Sequence, residues 1–304
     1  MAQLLQLTKT LDIALGADGT PVWVDFDDSQ AHPAETVAEH LAAPAAPHVV
    51  ATTPAAGVPA TGAAGTAVPG LGYLAQVSPH RWAALVDEDT VAAVALAHGG
   101  RVANLREVLG TQGDCPDLLA AAGYVKNQEA HRFHPGDGTP LTFDEQGRVG
   151  TSEFGAPFFP RLDPAVIGLV ECAGRVLVGR NRMRPDFFSL IAGYVSPGET
   201  LEAAFAREVW EETGRRVGQV RYLGSQPWPT SGALMLGMYG VTDDVDAVGP
   251  CDGELIEVRW LRREEVLSGA LPLSPPGSIA HQLLDYWAHN TQAFTPQKSI
   301  FSHD

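Results

Sequence analysis

No stretch of this chain is more constrained than Gly193 to Gly214, Gly-Tyr-Val-Ser-Pro-Gly-Glu-Thr-Leu-Glu-Ala-Ala-Phe-Ala-Arg-Glu-Val-Trp-Glu-Glu-Thr-Gly. The spacing predicts a helix from about Leu201 to Glu212. Thr200 is placed to cap its first turn with a hydroxyl, and Gly214 supplies a left-handed stop. Leu201, Ala204, Phe205 and Val209 recur at helical spacing and form the face that must be buried. The opposite face carries Glu208, Glu211 and Glu212 at i, i+3 and i+4, so their carboxylates emerge together. Like charges this close repel, and the last turn of a helix disfavours anions further. A cation among them would reverse that cost, and a set of carboxylate oxygens suits Mg²⁺ or Mn²⁺. Taken alone, Glu-x-x-Glu-Glu is an ordinary solvated acidic face. Gly193, Glu199, Arg207 and Gly214, at fixed offsets around it, argue for more.

The rest of the chain is organised around this segment. Ala165 to Val170 and Arg175 to Gly179 read as strands around a turn at Cys172-Ala173-Gly174, and Phe187 to Ile191 as a third apolar run, ending at Gly193. Val217–Leu223, Ala233–Val241 and Leu255–Leu261 read as further strands. Ser278 to His289 reads as a closing helix with Ile279, Leu283, Leu284 and Trp287 buried. Upstream, residues 1–48 alternate like short strands, and 51–72 are so rich in Ala, Gly, Pro and Thr that a loop is expected. Asn104–Gly110 and Asp117–Gln128 have a helical period, the latter with Leu118, Leu119 and Ala122 on one side. The division that follows is residues 1–113, an N-terminal domain; 114–160, a helix and connector; 161–290, the domain holding the acidic helix; and 291–304, a tail.

Composition narrows the class. With 304 residues the chain has the length of two domains. Lys plus Arg is 20 against 36 Asp plus Glu, a net charge of −16, which disfavours non-specific nucleic-acid or membrane binding. No run is long and apolar enough to span a bilayer, and Met1–Leu7 lacks the form of a signal peptide. The 3 cysteines, Cys115, Cys172 and Cys251, form neither a disulfide framework nor a CxxC pair. A cytoplasmic protein is expected.

The segment Gly193–Gly214 resembles the Nudix box, G-x5-E-x7-R-E-U-x-E-E-x-G-U, where U is bulky and aliphatic. Gly193, Glu199, Arg207, Glu208, Val209, Glu211, Glu212 and Gly214 match it; the final U position is Arg215 instead. The resemblance implies an α/β (α+β) Nudix fold: a mixed β-sheet sandwiched by helices, preceded here by a smaller, divergent N-terminal α/β domain. It also implies metal-assisted hydrolysis of a nucleoside diphosphate linked to another group. Arg207 is expected to pair with a box glutamate, such as Glu199, as a structural brace, with Gly193 and Gly214 also structural.

Ser225-Gln-Pro-Trp-Pro229 followed by Ala233-Leu-Met235 resembles the SQPWPFPxS-LM signature of the NADH pyrophosphatase subgroup, also known for removing NAD caps from RNA. Phe158-Phe-Pro-Arg-Leu-Asp-Pro164 and Pro275-Pro-Gly-Ser-Ile-Ala280 extend the match. By that resemblance Glu208, Glu211 and Glu212 are catalytic metal ligands, with the carbonyl of Ala192 and the carboxylate of Glu254 completing the set; Glu257 is the weaker candidate. Glu212 or Glu211 is favoured as general base. Gln226, Pro227, Trp228, Pro229, Thr230, Ser231, Gly232 and Ala233 would line the nucleotide pocket, with Ala280 at its edge. Phe159 and Tyr194 are candidate stacking platforms, core packing being the competing role for Phe159 and loop anchoring for Trp228.

Two departures stand out. The subgroup's four-cysteine zinc ribbon corresponds here to His134, Asp137, Thr151 and Phe154, which cannot complete a tetrahedral site, so no structural zinc is expected and Phe133, Phe143 and Phe158 should pack the connector instead. Thr230-Ser231-Gly232-Ala233 replaces FPxS, removing an aromatic ring and a hydroxyl. The implied activity is hydrolysis of NAD(H) to NMN(H) and AMP by a homodimer using Mg²⁺ or Mn²⁺, with NADH, NAD⁺ and the 5′ end of NAD-capped RNA as substrates and no membrane partner. The competing readings are a Nudix pyrophosphatase for ADP-ribose and a nucleotide-sensing module without turnover.

Overall fold

The computed structural model describes residues 2–26, 73–112 and 115–290. The expected loop at 51–72, the end of the 1–48 strand region and the 291–304 tail lie outside the described residues. The chain divides into two compact units, one of Met1–Asn104 with Ala120–Pro160, the other of Leu105–Leu119 with Arg161–Asp304.

The first unit holds strands β1 (Ala2–Leu7), β2 (Asp12–Leu15), β3 (Val24–Phe26), β4 (Leu74–Ser78), β5 (Arg81–Leu85) and β6 (Arg101–Asn104) in one sheet of order β4-β5-β1-β2-β6, with β3 also on β1. Helix α1 (Glu88–Ala97) packs on it through Val91 and Ala95, against Leu4, Ala14, Trp82 and Ala84. Its start is fixed by Asp87, whose carboxylate accepts the Thr90 N–H at 2.7 Å. Two further helices follow, α2 (Leu105–Gln112) and α3 (Pro116–Ala130). The expected stripe of α3, Leu118, Leu119 and Ala122, is buried, joined by Ala121 and Val125.

A three-stranded sheet of β7 (Thr142–Phe143), β8 (Gly150–Thr151) and β9 (Pro157–Phe158) closes the connector. Its small core is Leu141, Phe143 and Phe158. Phe133, expected among them, is 51% exposed instead. A backbone bridge from Phe133 to Pro140 turns that ring outward, and Leu141, the next residue along, points inward in its place.

The second unit is built on β10 (Asp163–Cys172), β11 (Arg175–Asn181), β12 (Ile191–Tyr194), β13 (Gly218–Trp228), β14 (Ala233–Val241) and β15 (Leu255–Leu261), with helices α4 (Leu201–Thr213), α5 (Arg263–Leu267) and α6 (Ile279–His289). The sheet order is β13-β14-β10-β11-β15, with β12 also on β10; β10 and β14 run parallel and the other pairs antiparallel. Alternation along the strands feeds two cores. Val166, Val170 and Leu177 face Ala204, Phe205 and Val209 of α4. Ile167, Leu169, Val176 and Val178 face Leu283, Leu284 and Trp287 of α6. Each fully buried side chain of this kind stabilises the fold by about 1.5–3 kcal/mol. A mixed sheet between helices is therefore the observed architecture.

The apolar run from Phe187 leads into β12, which begins at Ile191 and contains Gly193. Phe188 and Leu190 are buried. Their segment is fastened by two reciprocal bonds between Ser189 and Gly179, and by Phe188 bonding Pro272 and Ser274. Phe188 and Ser189 thus sit in isolated bridges to Leu273 and Gly179.

Candidate active site

Helix α4 begins where the sequence indicated. The Thr200 hydroxyl accepts the Ala203 N–H at 3.2 Å, and Gly214 closes the helix at φ 64°, donating to the Trp210 carbonyl at 2.8 Å. The apolar face locks the helix onto β10, β12 and β14, and this fixes where Glu208, Glu211 and Glu212 emerge.

Strand β12 brings Gly193 directly under the helix. A Cβ at this position would sit 2.0 Å from the Glu208 carboxyl carbon. A larger residue here would have to push the end of the Glu208 side chain aside. From Gly193 the chain loops through Ser196, whose N–H Glu199 accepts at 3.0 Å, and returns to Thr200.

Arg207 braces this loop with all five guanidinium donors. Two go to Glu199 (2.7 and 2.9 Å), one to the Tyr194 carbonyl (3.0 Å), one to Glu208 (2.8 Å) and one to Glu211 (2.9 Å). The paired guanidinium holds the Glu199 carboxyl down to about 2. The brace expected from sequence is present, and it is wider than Glu199 alone.

Glu212 differs from its neighbours. It is 4% exposed, and no described residue donates to its carboxyl. Burial, then repulsion from Glu254, Glu208, Asp252 and Glu211, pushes its pKa up to about 9. Burial also raises Glu208, partly offset by Arg207. One guanidinium thus pairs with three carboxylates, Glu199, Glu208 and Glu211.

Glu254 arrives on the loop before β15. Its Oε1 accepts from Asn181 Nδ2 at 2.8 Å, and Asn181 Oδ1 accepts the Met183 N–H at 2.8 Å, which fixes the amide's orientation. Asp252 is tied in by its own N–H to the Glu211 carbonyl at 2.9 Å and by its carboxylate to the Glu254 N–H at 2.8 Å. Neither Asp252 nor Asn181 carried a signal in the sequence. Glu257 is neutralised by Arg259 and Arg180, which hold its carboxyl below the usual range.

As the side chains stand, no three His, Cys, Asp or Glu groups among the described residues converge on a single point, and Arg207 bridges Glu208 and Glu211. The donor set nonetheless fits a hard dication. It is all oxygen, it is strongly anionic, and its most buried carboxyl lacks any cation.

The remaining expected residues divide by exposure. Tyr194 is 53% and Phe159 61% exposed, so neither is core. Gln226, Ala233 and Ala280 are buried. Both ends of the Gln226 amide are engaged at the start of α6, donating to the Gly277 carbonyl at 2.8 Å and accepting the Ile279 N–H at 2.8 Å. Trp228 is half-buried, with the Arg106 guanidinium 5.9 Å from its ring centre and 3.4 Å from the Thr230 hydroxyl. Pro229 is buried, Pro227 and Ser231 are exposed, and Gly232 and Ala192 lie between.

Arg215, the departure at the end of the box, is buried. Its guanidinium donates to the carbonyls of Thr213 (2.9 Å) and Val245 (3.0 Å) and lies 5.7 Å from the Trp260 ring. The stem fills the aliphatic slot while the head binds carbonyls beyond the helix end.

Residues 160–281 match the NUDIX domain family. These residues are similar to a Nudix domain. NAD-capped RNA hydrolase NudC of Mycobacterium bovis (strain BCG / Pasteur 1173P2) is 39% identical to the chain over 190 residues, covering 56% of this chain and 60% of that protein. NAD-capped RNA hydrolase NUDT12 of Homo sapiens is 38% identical over 139 residues, 42% of this chain and 30% of that protein. The chain thus spans less than two thirds of either relative. A solved NUDIX hydrolase from Nitrosomonas europaea aligns at a TM-score of 0.43 with 20% identity, over 54% of this chain and 96% of that one. The acidic helix, Glu254 and the Trp228 loop all lie inside the matched residues 160–281.

Proposed function

We propose that this chain hydrolyses the pyrophosphate bond of NAD(H) to NMN(H) and AMP, and that NAD-capped RNA ends are substrates of the same site. The observation carrying the hydrolytic reading is Glu212, a buried carboxyl facing four others with no cation on it. Glu208, Glu211, Glu212 and Glu254, with the Ala192 carbonyl, would hold Mg²⁺ or Mn²⁺, a dication that lowers the pKa of a bound water and offsets charge on the phosphates. Glu212 or Glu211 would take the proton of the attacking water. Arg207 and Glu199 keep the loop and the helix at one spacing. Tyr194 and Phe159, both exposed, are available to stack on a base or nicotinamide ring.

The substrate assignment is supported by the relatives' names and by the segment Ser225–Pro229. The changed loop Thr230-Ser231-Gly232 favours a second reading, in which ADP-ribose is preferred. Product analysis with NADH, NAD⁺ and ADP-ribose at equal concentration, in Mg²⁺ or Mn²⁺, separates the two: NMN(H) and AMP at the higher rate are expected, and strong preference for ADP-ribose overturns the first. Nucleotide binding without turnover in either metal would make the domain a sensor. A cytoplasmic homodimer belongs to the same proposal. Among the described residues no helix is long and apolar enough to cross a membrane, which says nothing of a β-barrel.

A further inference from the structure

The second unit carries a basic feature far from the acidic helix. Val176 of β11 pairs with Leu261 of β15 at the end of their ladder, and Arg175 and Arg262 are the residues just beyond that pair. Like charges brought this close repel one another. This chain has 36 acidic residues to relieve them, yet among the described residues neither arginine has an ion pair. Arg263 follows immediately. Its Nη1 donates to the Asn290 carbonyl at 2.7 Å and its guanidinium lies 4.2 Å from the Trp287 ring centre, which orders it. Arg175 lies 5.8 Å from the ring of Trp260.

These three arginines, with Ala173, Gly174 and Glu264, line an open surface depression of about 400 Å³. That volume lies in the range of small-ligand sites, roughly 300–1,000 Å³. Glu264 is the one carboxylate on the wall, so the lining remains cationic. Arg175 and Asn181 sit at opposite ends of β11, about 20 Å apart at roughly 3.3 Å per residue, so this depression is separate from the acidic cluster.

We infer that the depression is an anion site for a phosphate group. Guanidinium forks match phosphate oxygens in geometry as well as charge, and a bound dianion would reverse the repulsion between Arg175 and Arg262. The source is either free inorganic phosphate or the phosphate of a nucleoside monophosphate. The inference stands apart from the proposed hydrolysis.

The test is calorimetric titration of the full chain in EDTA, first with inorganic phosphate and then with AMP. Wild type is compared with Arg175→Gln, Arg262→Gln and Arg262→Glu. Arg216→Glu serves as a charge control, because that side chain is already paired with Asp244. Saturable phosphate binding is expected in wild type and in the control, weakened about tenfold or more in the Arg175 and Arg262 variants, as loss of a hydrogen bond to a charged group predicts. Tighter binding of AMP than phosphate, lost in the same variants, identifies the nucleotide source; equal or weaker binding identifies the free ion. Absence of saturable binding in wild type, or equal weakening by Arg216→Glu and Arg262→Glu, overturns the inference. The two glutamine variants guard against a folding defect, since each keeps a polar side chain at an exposed or half-buried position.

Discussion

At the scale of single residues, Glu212 and Asn181 carry opposite lessons. Glu212 was legible because i, i+3, i+4 spacing on a helix is a fixed geometry, and the apolar face decides which way it points. Its lack of any donor could not be read from the sequence, since that depends on what the loops bring. A buried carboxyl surrounded by carboxylates costs stability when no cation is present. Glu212→Gln is therefore expected to melt higher than wild type in EDTA, while NADH hydrolysis in Mg²⁺ or Mn²⁺ falls by roughly 10²–10⁴-fold. Full activity in this variant would remove the metal cluster from the mechanism. Asn181 was invisible because its partner Glu254 is far along the chain, and only the β11–β15 pairing unites them. Asn181→Ala should weaken Mn²⁺ binding by a few fold, followed by electron paramagnetic resonance. In a Glu254→Gln background the same change should have no effect, as a residue acting through Glu254 requires. A loss of equal size in both backgrounds would make Asn181 merely structural.

Among the elements, α4, α6 and the strands Ala233–Val241 and Leu255–Leu261 were plain from period and caps. The run Phe187–Ile191 is legible as apolar, but its isolated bridges to Gly179 and Leu273 depend on segments distant in the chain. Phe133 was misread because facing direction in a short sheet depends on which residues bridge. Two predictions belong at this scale. Gly193 lies where β12 meets α4, and a methyl there would overlap the Glu208 carboxyl. Gly193→Ala should change denaturant unfolding little, because the end of the Glu208 side chain can swing aside, and should reduce Mn²⁺ affinity as Glu208 is displaced. Unchanged Mn²⁺ affinity would show that the position of Glu208 does not matter to the metal. The other concerns Arg216 and Asp244, which tie the approach to β13 to the exit of β14. Arg216, through its guanidinium and its backbone N–H, holds the Asp244 carboxyl down to about 2, from 3.8. A depressed carboxylate adds stability above its unfolded pKa and loses it as pH falls through the folded one. The stability gap between wild type and Asp244→Asn should therefore be constant above about pH 4 and close toward pH 2, measured by urea unfolding. A gap that persists at pH 2 would show that the ion pair is not its source.

For the molecule as a whole, the net charge of −16 bears on substrate choice. A free dinucleotide carries few charges, whereas a capped RNA brings one phosphate per nucleotide. Approach of a polyanion to an acidic protein is slowed by repulsion that reaches about 30 Å at 0.01 M salt and about 8 Å at 0.15 M. Raising salt across that interval should therefore increase kcat/KM for NAD-capped RNA relative to NADH, measured side by side at constant free Mg²⁺. A protein that instead gripped the RNA backbone through a basic groove would behave oppositely, losing affinity linearly in log–log form as counterions return to the phosphates. A falling ratio would place the RNA on a local positive surface strong enough to outweigh the net field, and variants of Arg175 or Arg262 would then tell whether the arginine-lined depression is part of it.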